Sequence, residues 1–392
     1  MNSEEKKYLT NGDFSIKLIQ NLNEFEKLKD IWNSLAESCE SYTPWLSWDW
    51  FNLCLKYFLG ENKLIVLVLY KADRIVAIAP FVVKNEKFRG IIRTKKIELL
   101  GCTHSPIRNF ILGDSSEEDK ASIVLNIFHY IRDQYRKWDV MELDRTPEEN
   151  SVFSVFNDAL SNIGLNFRTS FSAGNWYLDG INYPFSQYFN NLPKKIQKDV
   201  QYCRRRLGKM GNLQTLIELD SGSLEHYLDL YDKVRAKSWK APEKDRTFIR
   251  EFTELTAEKG WMRLAFLQYN DVPIACQKWI VCGQKAYIWD VLHDEDYGKH
   301  SPGKILSTDV SQYVFDHDKV IEIDFMTGDD PYKKDWTPKR RERKGITIFN
   351  NTIKGQLLAF LMTKLLPMIE KNQSILIAKN KLSGYLRKLT HQ

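Results

Sequence analysis

A short stretch near residue 300 combines a serine, a proline, a glycine and a lysine in an order that can bind an anion. Ser301 can cap a helix, and Pro302 suits its first turn because the missing proline N–H would have no intrahelical partner there. Gly303 leaves room beside the free N–H groups, and Lys304 adds a positive charge. Helix N-termini of this kind attract phosphate. We therefore expect Ser301, Gly303 and Lys304 to bind the phosphates of a ligand.

A second candidate is the turn around residue 332, where a tyrosine precedes a lysine. The ammonium of Lys333 can stabilise the oxyanion that forms when an amine attacks an acyl carbonyl, or hold a phosphate. Tyr332 can protonate a departing thiolate or alkoxide. Alternatively, Lys333 is a surface residue paired with Asp329 or Asp330, an interaction of little energetic consequence. We take Lys333 and Tyr332 as candidate catalytic residues.

Asp290 is the candidate general base. It lies between Trp289 and Val291 in an apolar segment, where burial would raise its pKa. Alternation along a strand can instead turn it to solvent or toward a buried partner. His293 is an alternative because its intrinsic pKa suits proton transfer, and a reaction that leaves the proton to water needs no base.

Residues 192–209 form a basic segment with seven cationic side chains and one acid. Its apolar residues recur with helical spacing at Ile196, Val200, Cys203 and Leu207. The pattern predicts a helix that buries one face and leaves the rest basic. Such a run is often a solvated surface, and the alternative is an anion-binding helix in which Arg204 and Arg205 contact the substrate. No helix-turn-helix or zinc-finger pattern occurs, so we expect no duplex DNA partner.

These residues require a scaffold of strands and helices. Residues 287–292 and 320–325 are rich in aromatic and β-branched side chains, which favour strands, and the helix from Ser301 lies between them. Residues 67–77 and 265–275, offset by 198, both read as a strand, a tight turn and a strand. A duplicated fold is the simplest account, and two unrelated α/β halves are the alternative.

The order of these elements resembles the Gcn5-related (GNAT) acyltransferase fold. It is most similar to the CelD/BioF2-like branch, which is related to the FemABX aminoacyltransferases. The residues that carry the resemblance are Tyr297, Ser301 to Gly303, Asp324-Phe325, Gly328-Asp329, Tyr332-Lys333, Trp336 and the basic helix. It implies an α/β protein with mixed sheets, built from two tandem GNAT-like domains and a helical tail. We place a non-catalytic domain at 14–175, a catalytic domain at 176–350 and a basic amphipathic tail at 351–392.

The resemblance also implies a reaction. We expect transfer of an acyl group, most simply acetyl, from acyl-CoA to an amine or hydroxyl of a sugar, glycan precursor or amino-acid conjugate. Such chemistry occurs in cell-envelope or polysaccharide biosynthesis. One alternative is FemABX-like transfer from an aminoacyl-tRNA to a cell-wall precursor, and another is a non-catalytic binding or scaffold protein. The pyrophosphate loop of typical relatives is reduced here to Lys299 to Lys304, which leaves the donor open.

Composition sets limits on the class of protein. The 392 residues carry a formal net charge of +6 and are 43% hydrophobic, as in a globular protein, whereas a chain that mainly coats nucleic acid would be more basic overall. The N-terminal residues lack the apolar core of a signal peptide, so we expect a cytoplasmic location. The six cysteines form no Cys-x-x-Cys pair and the seven histidines show no zinc spacing, and we therefore expect reduced thiols and no metal.

Two further segments are rich in apolar residues. Residues 42–51 hold a dense aromatic group, which we expect to pack in the core or at a domain interface rather than to line an acyl-chain pocket. The tail from residue 355 combines regularly spaced leucines with a basic end. Packing against the catalytic domain is the expected role of its apolar face, and contact with the inner face of an anionic membrane is the alternative.

Overall fold

The computed structural model describes residues 7–9, 13–39, 42–90, 92–148, 152–219 and 222–371. These residues form two compact units. The first comprises the described residues within 1–40, 59–172 and 343–392, and the second those within 41–58 and 173–342. Both units combine a mixed sheet with helices, as predicted.

In the first unit most of the sheet is antiparallel. Its elements are β1 (Lys7–Leu9), β2 (Phe14–Ile19), α1 (Leu22–Glu26), α2 (Lys29–Glu37), β3 (Lys63–Lys71), β4 (Arg74–Phe88), β5 (Ile92–Leu99), β6 (Ile111–Leu112), α4 (Glu117–Asp133), β7 (Val140–Pro147), α5 (Val152–Asn162), the start of β8 (Asn166–Asp179), the end of β14 (Arg340–Phe349), α11 (Ile353–Phe360) and α12 (Leu366–Lys371). The strands are ordered β1-β2-β3-β4-β5-β7-β14-β8, and β6 pairs with β4. Helices α4 and α5 pack on the core that the sheet residues form.

The second unit contains the other strands and helices. They are α3 (Trp48–Phe58), the end of β8, α6 (Phe185–Asn191), α7 (Lys194–Met210), β9 (Leu213–Glu218), α8 (Leu224–Ala236), α9 (Arg246–Glu258), β10 (Met262–Tyr269), β11 (Val272–Cys282), β12 (Lys285–His293), α10 (Pro302–Asp316), β13 (Glu322–Thr327) and the start of β14. The strands from β8 onward are ordered β8-β13-β12-β11-β10-β9. Helices α6, α7 and α10 pack on one core of this sheet, and α8 packs on another.

The two units repeat one arrangement at the offset seen in the sequence. The β3–β4 turn places Ala72 and Asp73 at φ 46° and 63°, and the β10–β11 turn places Asn270 and Asp271 at 47° and 62°. Two consecutive positive φ angles are typical of a type I′ hairpin turn. Both hairpins also shift register just before the turn, after Leu69 and after Leu267, which are 198 residues apart. In each unit the next strand then pairs in parallel, over three residues, with the strand that follows the main helix.

The unit boundaries are discontinuous in sequence, unlike the continuous ranges predicted. Residues 41–58 belong to the second unit, where Trp50 of α3 packs on Phe248 and Phe252 of α9. The end of β14 belongs to the first unit because it pairs with β7. Spatial neighbours of this kind are not visible in hydrophobic patterning, which reports only local structure.

The described part of the tail packs on the first unit, contrary to the expectation that it packs on the catalytic domain. Leu358, Ala359 and Met362 lie in one buried cluster with Phe88 and other residues of that unit. A π-helical turn, Leu361–Leu365, joins α11 to α12. The basic residues predicted beyond 371 lie outside the described residues.

Two further findings concern the cysteines and the helices. All six cysteines are buried, and none is bonded to another. Within the described residues, no helix is long and apolar enough to cross a bilayer.

Candidate active site

The candidate site is a cleft between two strands that pair and then diverge. Strands β12 and β13 pair in parallel at only three positions, the last of which is Tyr287 with Asp324. A cavity of about 550 Å3 opens beyond that point, lined by Ile288 to Val291 and His293 of β12 and by Phe325 to Thr327 at the end of β13. Past the last pair the two strands no longer bond each other. On the β13 side the Met326 N–H is bonded to Asp324 and the Thr327 carbonyl to Lys333, so an extended ligand can add to the edge of β12.

A β-bulge shapes the β12 side of the cleft. Lys278 of β11 pairs with Asp290, whereas the next residue, Trp279, pairs with Ile288. Trp289 is therefore the extra residue, and it lies against Trp45 with ring centroids 6.0 Å apart. Bulges often re-aim side chains near functional sites. Trp45 and Trp50 are buried, which confirms that the early aromatic group is core packing.

The N-terminus of α10 faces the cleft through Gly303, Lys304 and Ser307. The prediction that Ser301 caps this helix is wrong, because its side chain makes no capping hydrogen bond and its backbone is left-handed, with φ 48°. The Ser301 carbonyl accepts hydrogen bonds from the amides of Lys304 and Ile305. The strained backbone at Ser301 is unusual for a residue other than glycine and is typical of functional sites. Ser301 itself is absent from the cavity lining.

The side chain of Gln277 on β11 holds the first turn of α10 in place. Its amide nitrogen donates to the Gly303 carbonyl at 3.0 Å and to the Ser307 hydroxyl at 2.7 Å, and its oxygen accepts from Trp279 Nε1 at 2.8 Å. A Cβ atom added at Gly303 would meet only His293 Nδ1, at 3.6 Å. The space beside Gly303 is therefore open cavity.

Lys333 lines the cavity but is 3% exposed, so it is not the surface residue of the alternative reading. Its ammonium donates to the carbonyls of Thr327 at 3.0 Å and Gly328 at 3.1 Å, and it lies 3.1 Å from an Asp330 oxygen. These contacts use all three of its N–H donors. The turn that it binds is strained, with Met326 at φ 59°. The geometry favours a role in holding this wall of the cleft.

Tyr332 lines the same wall as Lys333. Burial of its hydroxyl and the charges of Asp330 and Asp290 raise its pKa to about 12. The phenol is protonated at neutral pH, but its raised pKa makes it a weaker acid than an ordinary tyrosine. Its role in protonating a departing thiolate stays a prediction.

Asp290 lies at the cavity, but its predicted pKa shift is wrong in direction. Burial alone would raise its pKa, yet the ammonium of Lys240, the hydrogen bond from Tyr231 and the charge of Lys278 together lower it. The carboxylate also lies 3.5 Å from Arg235. A carboxylate held by so many cations is a weak base, so Asp290 is better suited to fix Lys240 than to accept a proton.

His293 ends β12 and lines the cavity beside α10. Its ring lies on Trp239 with centroids 4.4 Å apart, and within the described residues neither ring nitrogen has a hydrogen-bond partner. Burial lowers the pKa of His293, although the negative charges of Glu295 and Asp294 partly offset that shift. A neutral imidazole with a free nitrogen in a cavity is suited to accept a proton.

The two predicted substrate arginines lie outside the cavity lining. Arg204 is paired with Asp309 of α10, whose other oxygen accepts from Thr215 at 2.5 Å. Arg205 is exposed and donates to the Gln201 carbonyl of its own helix, at 3.3 Å, with no other acceptor among the described residues. The buried face of α7 is the predicted one, comprising Ile196, Val200, Cys203 and Leu207.

The exposed face of α7 carries a row that we call the α7 stripe. Its members lie within about 100° of one another around the helix axis. They are Lys195, Lys198, Tyr202, Arg205, Arg206 and Lys209, all exposed. The row contains no acid, and an exposed aromatic ring lies among its cations. The sequence reasoning identified the charge of this helix but missed its arrangement.

Two residues of the site were missed altogether, Trp239 and Lys240. They lie in the irregular segment between α8 and α9. Such a segment has no periodicity from which its position could be predicted. Within the described residues no cluster of His, Cys, Asp and Glu is arranged to hold a metal ion.

Known proteins share parts of this sequence and fold. Residues 194–334 match the family model of the acetyltransferase (GNAT) domain, whereas no curated protein sequence matches the chain. The solved structure of FemX is similar over 84% of this chain and 98% of its own, with a TM-score of 0.59 and 12% identity. A tandem GNAT protein from the clavulanic acid biosynthesis pathway is similar over 86% of this chain and 99% of its own, with a TM-score of 0.47 and 12% identity. L-PGS from Bacillus licheniformis is similar over 82% of this chain and 96% of its own, with a TM-score of 0.47 and 10% identity.

At such low identity the likeness to FemX bears on the fold alone. The family match covers the helix α7, the diverging strands and the turn at Lys333, so it includes the whole described cleft apart from its last two lining residues. Residues 194–334 therefore match the acetyltransferase (GNAT) domain family, and the fold of the chain is similar to that of FemX.

Proposed function

We propose that the second unit transfers an acyl group, most simply acetyl, from acyl-CoA to an amine or hydroxyl. The acceptor class is a sugar, a glycan precursor or an amino-acid conjugate, as in cell-envelope or polysaccharide biosynthesis. The observation that carries the proposal is the cleft between β12 and β13, which ends at the N-terminus of α10. This cleft offers an extended, peptide-like donor an edge of β12 that β13 no longer covers and a positive helix end.

The donor would lie with its pantetheine arm along the diverging strands and its phosphates near α10. The N–H of Gly303 and the ammonium of Lys304, which line the cavity, are the groups that would bind them. Ser301 lies outside the lining and would hold the first turn of α10 through its carbonyl. Among the described residues, the Lys304 ammonium is within hydrogen-bond distance of Asp199 Oδ2 alone, at 3.4 Å, so it can be recruited.

The acceptor would attack the thioester carbonyl as His293 takes its proton. A C–N or C–O bond forms, the C–S bond breaks, and the electron pair leaves with the CoA sulfur. Tyr332 would return a proton to that sulfur. Lys333 and Asp290 would act as positioning residues, since one holds the Met326–Gly328 turn and the other holds Lys240 at the cavity.

Thiol release in the presence of candidate acceptors tests the reaction. Free CoA should appear only when both acyl-CoA and an amine or hydroxyl acceptor are present. Release that needs no acceptor, or no release with any acyl-CoA, would contradict the proposal.

Gly303→Ala should weaken CoA binding at least about tenfold, equivalent to about 1.4 kcal/mol. The methyl group fits the unliganded fold, because it meets only His293 Nδ1 at 3.6 Å, but it takes the space beside the phosphate site. Alanine also suits a helix better than glycine, so the melting temperature should not fall. Calorimetric titration with CoA gives the affinity. Equal CoA affinity in the variant and the parent would mean that the phosphates do not bind at this site.

A second candidate is transfer from an aminoacyl-tRNA, and the α7 stripe favours it. Five cations around an exposed tyrosine are the combination by which proteins hold a nucleic-acid backbone and stack a base. The sequence resemblance to FemABX aminoacyltransferases points the same way. Absence of CoA release together with consumption of an aminoacyl-tRNA would select this donor.

Arg204 and Arg205 should respond differently to replacement by Gln. Arg205→Gln should flatten the salt dependence of the KM for an anionic substrate and leave the melting temperature unchanged, because the side chain lies on the stripe and holds no other element. Arg204→Gln should lower the melting temperature, because it removes the pair with Asp309 of α10. Identical salt curves for the Arg205 variant and the parent would make the stripe a solvated surface.

A further inference from the structure

The helix that ends the described chain in the first unit exposes a row of apolar side chains. Ile353 is 92% exposed and Met368 is 70% exposed, and Leu357 and Phe360 between them are more than half exposed. The spacing of Ile353, Leu357 and Phe360 is that of one helix face. Single exposed apolar residues are ordinary, whereas a continuous row marks an interaction surface.

Core packing does not account for this row. The helix is anchored by its opposite face, where Leu358 and Met362 lie in a buried cluster with Phe88. Arg168 also donates to the Met362 carbonyl at 3.2 Å. The row therefore faces solvent on a helix that is already held in place.

A cationic cavity begins at the first residue of the same helix. Thr352 and Lys354, on either side of Ile353, line an open cavity of about 820 Å3 in the first unit. Its cationic lining residues are Lys87, Arg93, Lys95, Arg136, Lys137 and Lys354, against only Glu86 and Asp139.

Both acids of the cavity are already engaged. Glu86 pairs with Lys96, and Asp139 accepts hydrogen bonds from the Lys95 amide and the Thr352 hydroxyl, each at 3.0 Å. Within the described residues no ion pair is made by the cations of this cavity. Six cations that share one open cavity repel one another, and a bound anion would relieve that repulsion.

We propose that this face of the first unit docks on an anionic phospholipid surface. The apolar row would enter the headgroup and acyl boundary, and the cationic cavity would receive lipid phosphates. The two features lie side by side, because Ile353 stands between two residues that line the cavity. The sequence adds to the complementarity, since residues 351–392 carry seven Lys and Arg and one Glu.

The combination separates lipid from other occupants. A soluble polyanion would use the cations and leave the apolar row exposed. A second copy of the chain would cover the row, but a symmetric contact would bring two cationic cavities toward each other. An anionic bilayer satisfies both features at once.

Vesicle flotation of the full chain tests the proposal. The chain should float with vesicles of equal parts phosphatidylcholine and phosphatidylglycerol, and should not float with phosphatidylcholine alone. A double variant, Leu357→Ser with Phe360→Ser, should lower the partition coefficient at least about tenfold, because both apolar side chains would be buried in the membrane when the chain binds. Arg136→Gln with Lys137→Gln should lower it too, and added salt should have less effect on that variant.

Ile31→Ser is the matched control, because Ile31 is an exposed apolar residue on α2 of the same unit, 49% exposed. Its flotation should equal that of the parent. Equal binding to both kinds of vesicle, no binding to either, or no effect of the double variant would overturn the proposal. Self-association that is measured by light scattering and lost in the double variant would also overturn it, in favour of a second copy as the occupant.

Discussion

Replacing His293 with Gln is expected to lower kcat by on the order of a hundredfold to ten-thousandfold. The imidazole lines the cleft, packs on Trp239 and is neutral because burial lowers its pKa. Glutamine keeps a polar side chain of similar reach but cannot accept the proton. The KM for the donor should change little, because the phosphate site lies on α10. Steady-state thiol release is the measurement.

The pH profile gives a second readout of the same residue. A general base must be unprotonated, so kcat/KM should fall as the pH drops through the lowered pKa of His293, which lies below the ordinary 6.5. Activity should therefore persist at pH 6.5, and this acidic limb should vanish in the variant.

His317→Gln is the matched control for His293→Gln. His317 lies in the same unit and stacks on Tyr313 with centroids 4.7 Å apart, outside the cavity lining. An unchanged kcat and pH profile in His293→Gln would mean that water, and not His293, accepts the proton. Asp290 and Tyr332 would then be the remaining titratable candidates of the site.

Lys333→Met is expected to reduce both stability and rate. The substitution leaves the Thr327 and Gly328 carbonyls without their donor, at a cost on the order of 2 to 4 kcal/mol in the free energy of unfolding. For a unit of this size that corresponds to a fall in melting temperature of roughly 5–12 °C. The rate should fall as well, because the Met326–Gly328 turn forms one wall of the cleft.

Lys334→Met separates a specific effect from a general loss of charge, because Lys334 is the exposed neighbour of Lys333. That control should melt and react like the parent. If Lys333→Met kept the parent's melting temperature and lost only kcat, the ammonium would act on the oxyanion directly, as the sequence first suggested. If neither quantity changed, the residue would have no role in the site.

Local patterning predicted much of the second unit. The strand over residues 287–292, the helix starting at Pro302 and the turn around Lys333 all stand where residue types indicated, although the strand runs on to His293. These features depend on neighbouring residues in the chain, namely β-branched runs, a proline at the first helical position and a glycine beside it. The repeat at an offset of 198 residues was visible for the same reason.

The errors concern interactions between residues distant in sequence. The pKa of Asp290 depends on Lys240 and Tyr231, some 50 and 59 residues away. Arg204 is held by an ion pair with Asp309, which is 105 residues away in sequence. Nothing in the local pattern of the basic helix distinguishes Arg204 from Arg205, although one is tied to α10 and the other faces solvent. The bulge at Trp289 likewise arises from pairing with β11.

Hydrogen exchange with and without CoA tests the central claim most directly. If the donor lies between the diverging strands, CoA should slow amide exchange in residues 288–293, at the start of α10 and in residues 325–328, and should leave the first unit unchanged. Beyond Tyr287 the strand β12 pairs with β11 on one side only, so a donor that adds on the β13 side should protect the amides that face the cleft. Protection confined to other regions, such as the cationic cavity of the first unit, would contradict the assignment of the donor site to this cleft.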